Sequence, residues 1–564
     1  MENIGKEFNK LLPLFNEGKK YLVGKNKDIK IAIKNFEDYS LNLNKLYSDL
    51  RNSYKNEKLE IFNSIYISHI IKLSKIFLLI PYFYKAKILC EKVLELDKNN
   101  IEILPTYIKC LHFFRKYEQI SEILNIVKSK DREKVEELNL KNLERIRESK
   151  GKYNFSEIFN NFKKTNNYNL DLAEYINNNI SIEQDKIKGL IIKSNEEIKK
   201  GSLLMASRAI EYVSKTDNKL IKIYSQKEEF QKKLINKLKE KMMYCKEDIP
   251  EIYELYDRTN SELSLEQRKQ NYIKNISEQN LIVPEKNFVG IFSNAIATKL
   301  YIYDEFDLIL GIFYYPSFMS HSCVPNTKIL GIGNFLFVFA ERDIKKNEEI
   351  TTSYISSTEE YKIRQEKLKK FYGFECQCEL CIIESNKFKE KPDIKNKISN
   401  YINELIELIN NPNYNQKLYL EKANEIMKFI ESNNDNINNY EKVLLYYNLF
   451  CLWPYDRYSK NYNLLQKGLE CCENEKNIKI NILKYYILLK MYKINFVFND
   501  KLCGEIKKKL ILLFNGILGK ERDDFAELLL DDLLNMHTSK DDNEIKGLKV
   551  FQFKELKNIL MKNK

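Results

Sequence analysis

Three cysteines within six residues constrain this chain more than any other feature. They are Cys376, Cys378 and Cys381 in Phe374-Glu-Cys-Gln-Cys-Glu-Leu-Cys381. Three thiolates are one short of the four protein ligands that a closed structural zinc site takes. The fourth candidate is Cys323, far upstream in Ser320-His-Ser-Cys-Val-Pro-Asn326. A Zn2+ ion held by this set fastens two distant loops together. Its binding then contributes folding free energy locally, because the unfolded chain has no preformed site. Between the loops lies Glu348-Glu-Ile-Thr-Thr-Ser-Tyr354, an extended segment ending in a tyrosine. Reactive free thiols are a poorer account, since Cys376 and Cys378 sit at chelating spacing.

The other cysteines are scattered: Cys90, Cys110, Cys245, Cys451, Cys471, Cys472 and Cys503. They form no secreted disulfide framework, so a reducing cytoplasmic or nuclear compartment is expected. The N-terminus, Met1-Glu-Asn-Ile-Gly-Lys6, lacks the basic-then-apolar pattern of a signal peptide. The most apolar run, Ile76-Phe-Leu-Leu-Ile-Pro-Tyr-Phe-Tyr84, is short and contains Pro81, so no membrane association is expected. A net charge of +13 over 564 residues is a mild excess with no dense basic block. It fits a solvated surface better than a nucleic-acid groove, and no direct nucleic-acid partner is expected.

Length alone allows three or four domains. Residues 1–150 read as helical, with sparse glycine and apolar residues recurring at three and four. Phe83–Leu96 aligns with Tyr117–Lys130, placing Ala86 and Ile120 34 residues apart, the tetratricopeptide period. An earlier copy is expected at Asp28–Phe36, and Asp97–Asn100 reads as a turn. Lys188–Asn195 is β-rich, followed by a turn at Gly201 and a second strand. Residues 216–285 read as helical. Strands are expected at Thr298–Tyr303, Leu308–Phe313, Thr327–Gly331 and Phe335–Ala340, and helical periodicity resumes from about 385.

Ser320–Asn326, then Ala340–Tyr354, then Tyr372–Cys381 resemble, in that order, the SET domain and its zinc-binding post-SET segment. The nearest type is the SMYD-like group of protein lysine methyltransferases. Residues 216–285 stand where that group carries a MYND finger, but Cys245 is the only cysteine there, so a MYND finger is expected to be absent. The resemblance implies an α+β fold: a β-rich SET domain with a post-SET zinc segment, flanked by tetratricopeptide-like helical domains. The expected divisions are 1–150 (helical), 181–215 (N-terminal SET half), 216–285 (helical insertion), 286–357 (core SET), 358–384 (post-SET zinc segment) and 385–564 (C-terminal helical).

The resemblance also implies the chemistry. The cofactor would be S-adenosyl-L-methionine, the acceptor a lysine side chain of a histone or non-histone protein, and the activity protein-lysine N-methyltransferase. The helical repeats would offer a surface to a peptide or chaperone partner. Tyr354 takes the floor of the lysine channel and is the expected catalytic residue. Phe374 walls the channel beside the cofactor. His321 contacts the cofactor adenine, mostly through its backbone. Ser317, Met319 and Ser320 line the same pocket, Asn294 binds the amino-acid end of the cofactor, and Lys188 is placed to meet its carboxylate.

Three positions depart from the family pattern. Ser320 stands where asparagine is usual, Ile187 where a glycine lets the backbone approach the cofactor, and Asn347 at a turn glycine. The first two motivate an alternative, a catalytically degenerate scaffold for protein–protein interaction. The acidic helix at Phe525–Leu534 reads as a solvated face rather than a substrate-facing one.

Overall fold

The run Phe335-Leu-Phe-Val-Phe-Ala340 has no polar residue, and a strand with that content must be covered on both faces. In the computed structural model the described residues are 2–23, 28–53, 57–126, 132–214, 227–248, 255, 267, 295–298, 309–355, 361–390, 392–410, 416–451, 458–473, 478–498, 502–519 and 522–537. The strands are β1 (Tyr175–Ile176), β2 (Ile180–Asp185), β3 (Gly189–Ser194), β4 (Leu203–Val213), β5 (Ala295–Thr298), β6 (Ile309–Phe313), β7 (Ser320–His321), β8 (Thr327–Ile332), β9 (Phe335–Ala340) and β10 (Thr351–Thr352). The main sheet runs β5-β6-β4-β9-β8, with β1 also paired to β4. Its pairings are antiparallel. β2 and β3 form a separate hairpin. Strands expected at 308–313, 327–331 and 335–340 are present. Part of Thr298–Tyr303 lies outside the described residues.

All six β9 side chains are fully buried. Because successive side chains alternate across a strand, β9 feeds two cores. Phe335, Phe337 and Phe339 enter one with Leu330 and Ile332. Leu336, Val338 and Ala340 enter the other with Leu204, Phe318 and Met319. The first core is shared with α9 (Phe155–Thr165) and with helices from the C-terminal third: α15 (Asn439–Cys451), α16 (Tyr458–Glu473), α17 (Ile478–Phe498), α18 (Cys503–Leu518) and α19 (Asp523–His537). Phe155 sits at the junction, 5.0 Å from the Phe337 ring and 5.4 Å from Phe525. Two acidic residues of α19 are engaged within the chain: Asp532 pairs with Lys163 at 2.8 Å and Asp531 with Lys507 at 2.6 Å.

Gly201 lies at φ +81°, and a Cβ there would stand 2.7 Å from the Gly519 Cα. Arg522 closes the same contact by donating to the Gly201 carbonyl at 3.1 Å. This close backbone approach joins the turn before β4 to the end of α18, and only glycine allows it.

The first 150 residues form α1 (Glu2–Asn9), α2 (Leu12–Val23), α3 (Ile29–Ser53), α4 (Glu57–Leu79), α5 (Phe83–Leu96), α6 (Leu104–Phe113), α7 (Tyr117–Ile126) and α8 (Arg132–Glu148) around their own core. Ala86 and Ile120 are both fully buried in it. The helices are uneven, however: 25 residues in α3, 23 in α4 and ten each in α6 and α7. Asp97–Asn100 separates α5 from α6, as expected of a turn. Among the described residues one helix segment, Glu60–Leu79, is long and apolar enough to cross a membrane, which the reading of Ile76–Tyr84 missed. Half of it is buried, with Tyr66, Ile70, Leu73 and Phe77 packed into the helical core.

Within the expected helical insertion, α10 (Lys227–Tyr244) packs on β4 and β6 through Leu234, Leu238 and Met242. Much of 216–285 lies outside the described residues. Past the sheet come α11 (Tyr361–Tyr372), α12 (Glu379–Glu390), α13 (Pro392–Asn410) and α14 (Gln416–Ser432).

Candidate active site and metal centre

The sulfurs of Cys323, Cys376, Cys378 and Cys381 lie within 4.8 Å of one another and form a group that could hold a metal ion. Cys323 Sγ is 3.6 Å from Cys381 Sγ and 4.0 Å from Cys376 Sγ. Four thiolates at about 2.3 Å from one zinc stand about 4 Å apart, so the separations fit a shared ion. Hydrogen bonds from the neighbouring sulfurs, Cys323 first, hold the Cys376 thiol below its ordinary range, while the same contacts raise Cys323. Four crowded sulfurs competing for protons is the state a metal resolves, by replacing them.

The scaffold of this cluster is local. Gln365 on α11 clamps the Cys376 backbone at both ends: Nε2 donates to its carbonyl and Oε1 accepts its N–H, each at 2.8 Å. Leu368 and Leu380 pack beside the sulfurs. Asn326, 1% exposed, locks the other loop. Its Nδ2 donates to the Glu349 carbonyl at 2.8 Å, and its Oδ1 accepts the Thr351 N–H at 2.9 Å. β7 and β10 pair in parallel, with Ser320 opposite Thr351 and His321 opposite Thr352. The segment ending at Tyr354 is thereby carried alongside the segment holding Cys323.

His321 lies between the two features. The Tyr354 backbone N–H donates to His321 Nδ1 at 3.0 Å, so Nδ1 carries no proton. The ring proton then sits on Nε2, which is 3.3 Å from Cys323 Sγ and directed at it. One imidazole connects the sulfur cluster to the backbone of Tyr354. Tyr354 as a residue is 36% exposed, and its ring stands 5.2 Å from His321 and 5.0 Å from Tyr372. Its hydroxyl donates to the Met319 carbonyl at 2.7 Å. Burial of that hydroxyl, with Tyr372 and Glu349 nearby, raises its pKa above the usual phenol value. The group is therefore a neutral phenol at physiological pH, with oxygen lone pairs free to accept a hydrogen bond. Phe374, half-buried, stands 5.9 Å from His321 and completes an aromatic corner.

The remaining sequence-expected residues divide. Ser317, Met319 and Ser320 lie on the 3-10 turn Tyr315–Phe318 and the strand that follows. Met319 buries its side chain in the sheet core and offers its carbonyl to the site. Lys188, at the tip of the β2–β3 hairpin, pairs with Glu349 at 2.6 Å, so its charge is already partnered. Ile187 beside it is 94% exposed. Asn294 lies outside the described residues. Asn347 adopts φ +64°, the left-handed conformation expected of a turn glycine's substitute. Sequence reasoning gave no role to Asn326, Arg364, Gln365 or Tyr372. Asn326 was inside the quoted motif, whereas Arg364 and Gln365 carry no spacing signal at all.

Residues 189–355 match the SET domain family, under a third of the chain. The chain contains a SET domain. A SET domain-containing protein of Acanthamoeba polyphaga mimivirus is 41% identical over 63 residues, 11% of this chain and 25% of that protein. A histone-lysine N-methyltransferase of Schizosaccharomyces pombe is 36% identical over 89 residues, 15% and 28% of the respective chains. One from Arabidopsis thaliana is 40% identical over 90 residues, 15% and 19%. The chain thus aligns with less than a third of the length of each of these relatives.

Proposed function

We propose that this SET-domain chain is an S-adenosylmethionine-dependent protein lysine N-methyltransferase. The observation that supports this most directly is the placement of Tyr354, a neutral half-exposed phenol fixed through His321 to a four-cysteine cluster. The wider reading is SMYD-like without a MYND finger, with helical arrays of tetratricopeptide type on both sides choosing a histone or non-histone substrate in cytoplasm or nucleus.

The residues present suit the cofactor. Tyr354, Tyr372, Phe374 and His321 make an aromatic corner, and aromatic faces attract a cationic centre. Ser317, Met319, Ser320, His321 and Phe374 would hold the cofactor, with Asn294 at its amino-acid end and Lys188 near its carboxylate. Bound there, S-adenosylmethionine supplies an electrophilic methyl group on a sulfonium.

Tyr354 positions the acceptor. A lysine amine has a pKa of about 10.4 and is mostly protonated at neutral pH. Entry into an apolar channel lowers that pKa, and the proton leaves to solvent. Because the Tyr354 hydroxyl spends its own proton on the Met319 carbonyl, its oxygen accepts an N–H from the neutral amine. The nitrogen lone pair would then point along the channel, toward the methyl group the cofactor would supply. The raised pKa of Tyr354 makes it a positioner rather than a general base.

The test is methyl transfer from labelled cofactor onto a protein lysate, with titration calorimetry of cofactor binding alongside. The intact chain should bind the cofactor and label protein. Tyr354→Phe should bind it comparably and transfer on the order of 100-fold more slowly. The degenerate-scaffold alternative, favoured by the Lys188–Glu349 pairing, predicts no calorimetric signal and no labelling.

A further inference from the structure

Arg364 is the largest fully buried side chain in the molecule's described part, and it points at sulfur. It lies on the inner face of α11 one turn before Leu368. Its Nε donates to Cys323 Sγ at 3.3 Å and its Nη2 faces Cys381 Sγ at 3.6 Å. Nη2 also pairs with Glu384 of α12, whose side chain is 20% exposed. An arginine stays charged in a protein, so this site holds a fixed positive charge beside the sulfurs.

A guanidinium taken fully out of water costs stability unless strong acceptors replace the lost hydration. Neutral thiols are weak acceptors. Thiolates on a divalent ion are strong ones: four of them around Zn2+ leave two net negative charges in an otherwise apolar pocket. Nearby cationic side chains stabilise the thiolate form. The rigid fork of arginine reaches two sulfurs and a carboxylate at once, which a lysine ammonium on a flexible stem does not do.

We propose that Arg364 is a positioning residue of the metal centre that offsets the charge of the zinc-bound cluster and sets how tightly the ion is retained. The inference rests on the reading of the four cysteines as zinc ligands. Arg364 reaches two sulfurs that come from different loops, Cys323 before the SET tyrosine and Cys381 after it. Its two contacts span the cross-loop closure, one on each side. Outer partners of metal ligands commonly change metal affinity 10–100-fold when removed.

The experiment uses the full chain produced with zinc. Metal content is measured by elemental analysis, and the rate of zinc transfer to a chromophoric chelator is followed with and without hydrogen peroxide. The wild-type chain should carry one zinc per chain and release it slowly. Arg364→Met and Arg364→Lys should each load zinc and release it about 10–100-fold faster. Glu384→Gln keeps the guanidinium and both N–H···S contacts, so it should melt earlier yet release zinc at a rate near wild type. Should Arg364→Met fail to fold, the comparison is read from Arg364→Lys, which preserves charge. Wild-type release rates in the Arg364 variants, with a melting loss equal in zinc-loaded and chelated protein, would assign Arg364 to helix packing alone and overturn the inference. A wild-type chain that binds no zinc would instead overturn the metal reading itself.

Discussion

Asn326 shows how much one side chain can hold in place. Its amide bridges the Cys323 loop to residues 348–351, spending both ends on backbone and side-chain partners with almost no exposure. Removing it orphans the Thr351 N–H and the Glu349 carbonyl together. Asn326→Ala should therefore cost about 1–3 kcal/mol in chemical denaturation, with weakened zinc retention because the Cys323 loop is freed. An unchanged denaturation midpoint would remove Asn326 from this role. The residue-scale reading was partly legible beforehand. Cys323 was identifiable because three thiolates leave a tetrahedral site one ligand short. Arg364 was not, because one arginine among 93 basic residues has no pattern until the fold aims it. Lys188 was expected to meet a cofactor carboxylate by charge; it pairs with Glu349, a contact between residues too far apart in sequence for spacing to reveal.

At the scale of elements, β9 carries the architecture. Its unbroken apolar run was readable as a strand, and burial on both faces follows from the alternation of its side chains. What covers the Phe335, Phe337 and Phe339 face was not readable, since several amphipathic helices in the last third offer equivalent stripes. Phe337 touches Tyr153, Phe155 and Phe335, so truncation opens a cavity shared by the sheet and α9. Phe337→Ala should destabilise the protein by about 3–5 kcal/mol in denaturant titration. Leu336→Ala, on the other face, should loosen the core that holds Met319. A Phe337→Ala loss of under about 1 kcal/mol would mean the C-terminal helices do not seal that face. The acidic helix α19 was read as a solvated face, and its Asp531 and Asp532 turn out to pair with Lys507 and Lys163 across the packed helices.

At the scale of the whole molecule, the segment after α10 is stitched to the N-terminal helices. Asp248 accepts the N–H groups of Phe83 and Tyr84 at 2.6 and 2.7 Å, at the start of α5. Tyr82 donates to Glu247 at 2.9 Å, and Cys245 packs in the N-terminal core. Burial pushes Asp248 up to about 7, against the two N–H donors and Lys241, and with Glu247 adding to the rise. Its folded value lies above an unfolded value of about 3.9. Between those values the folded state keeps a proton that the unfolded chain has released, so stability falls as pH rises through the window and is level above it. Buried Glu148, also raised to about 7, adds a slope of the same sign. Between about pH 4 and 7 this term lowers the melting temperature with rising pH, and Asp248→Asn should remove its share of the slope. Parallel slopes in the two proteins would show that Asp248 titrates normally. By itself, the sequence singled out the four cysteines and several strand and helix segments, because metal stoichiometry, motif order and apolar period are local properties. Only the tertiary structure decided which elements meet: His321 between Cys323 and Tyr354, Arg364 against two sulfurs, and the C-terminal helices on β9. Those contacts join residues whose separation in sequence leaves no periodic trace, and they exist only once shape and burial have chosen one packing among many.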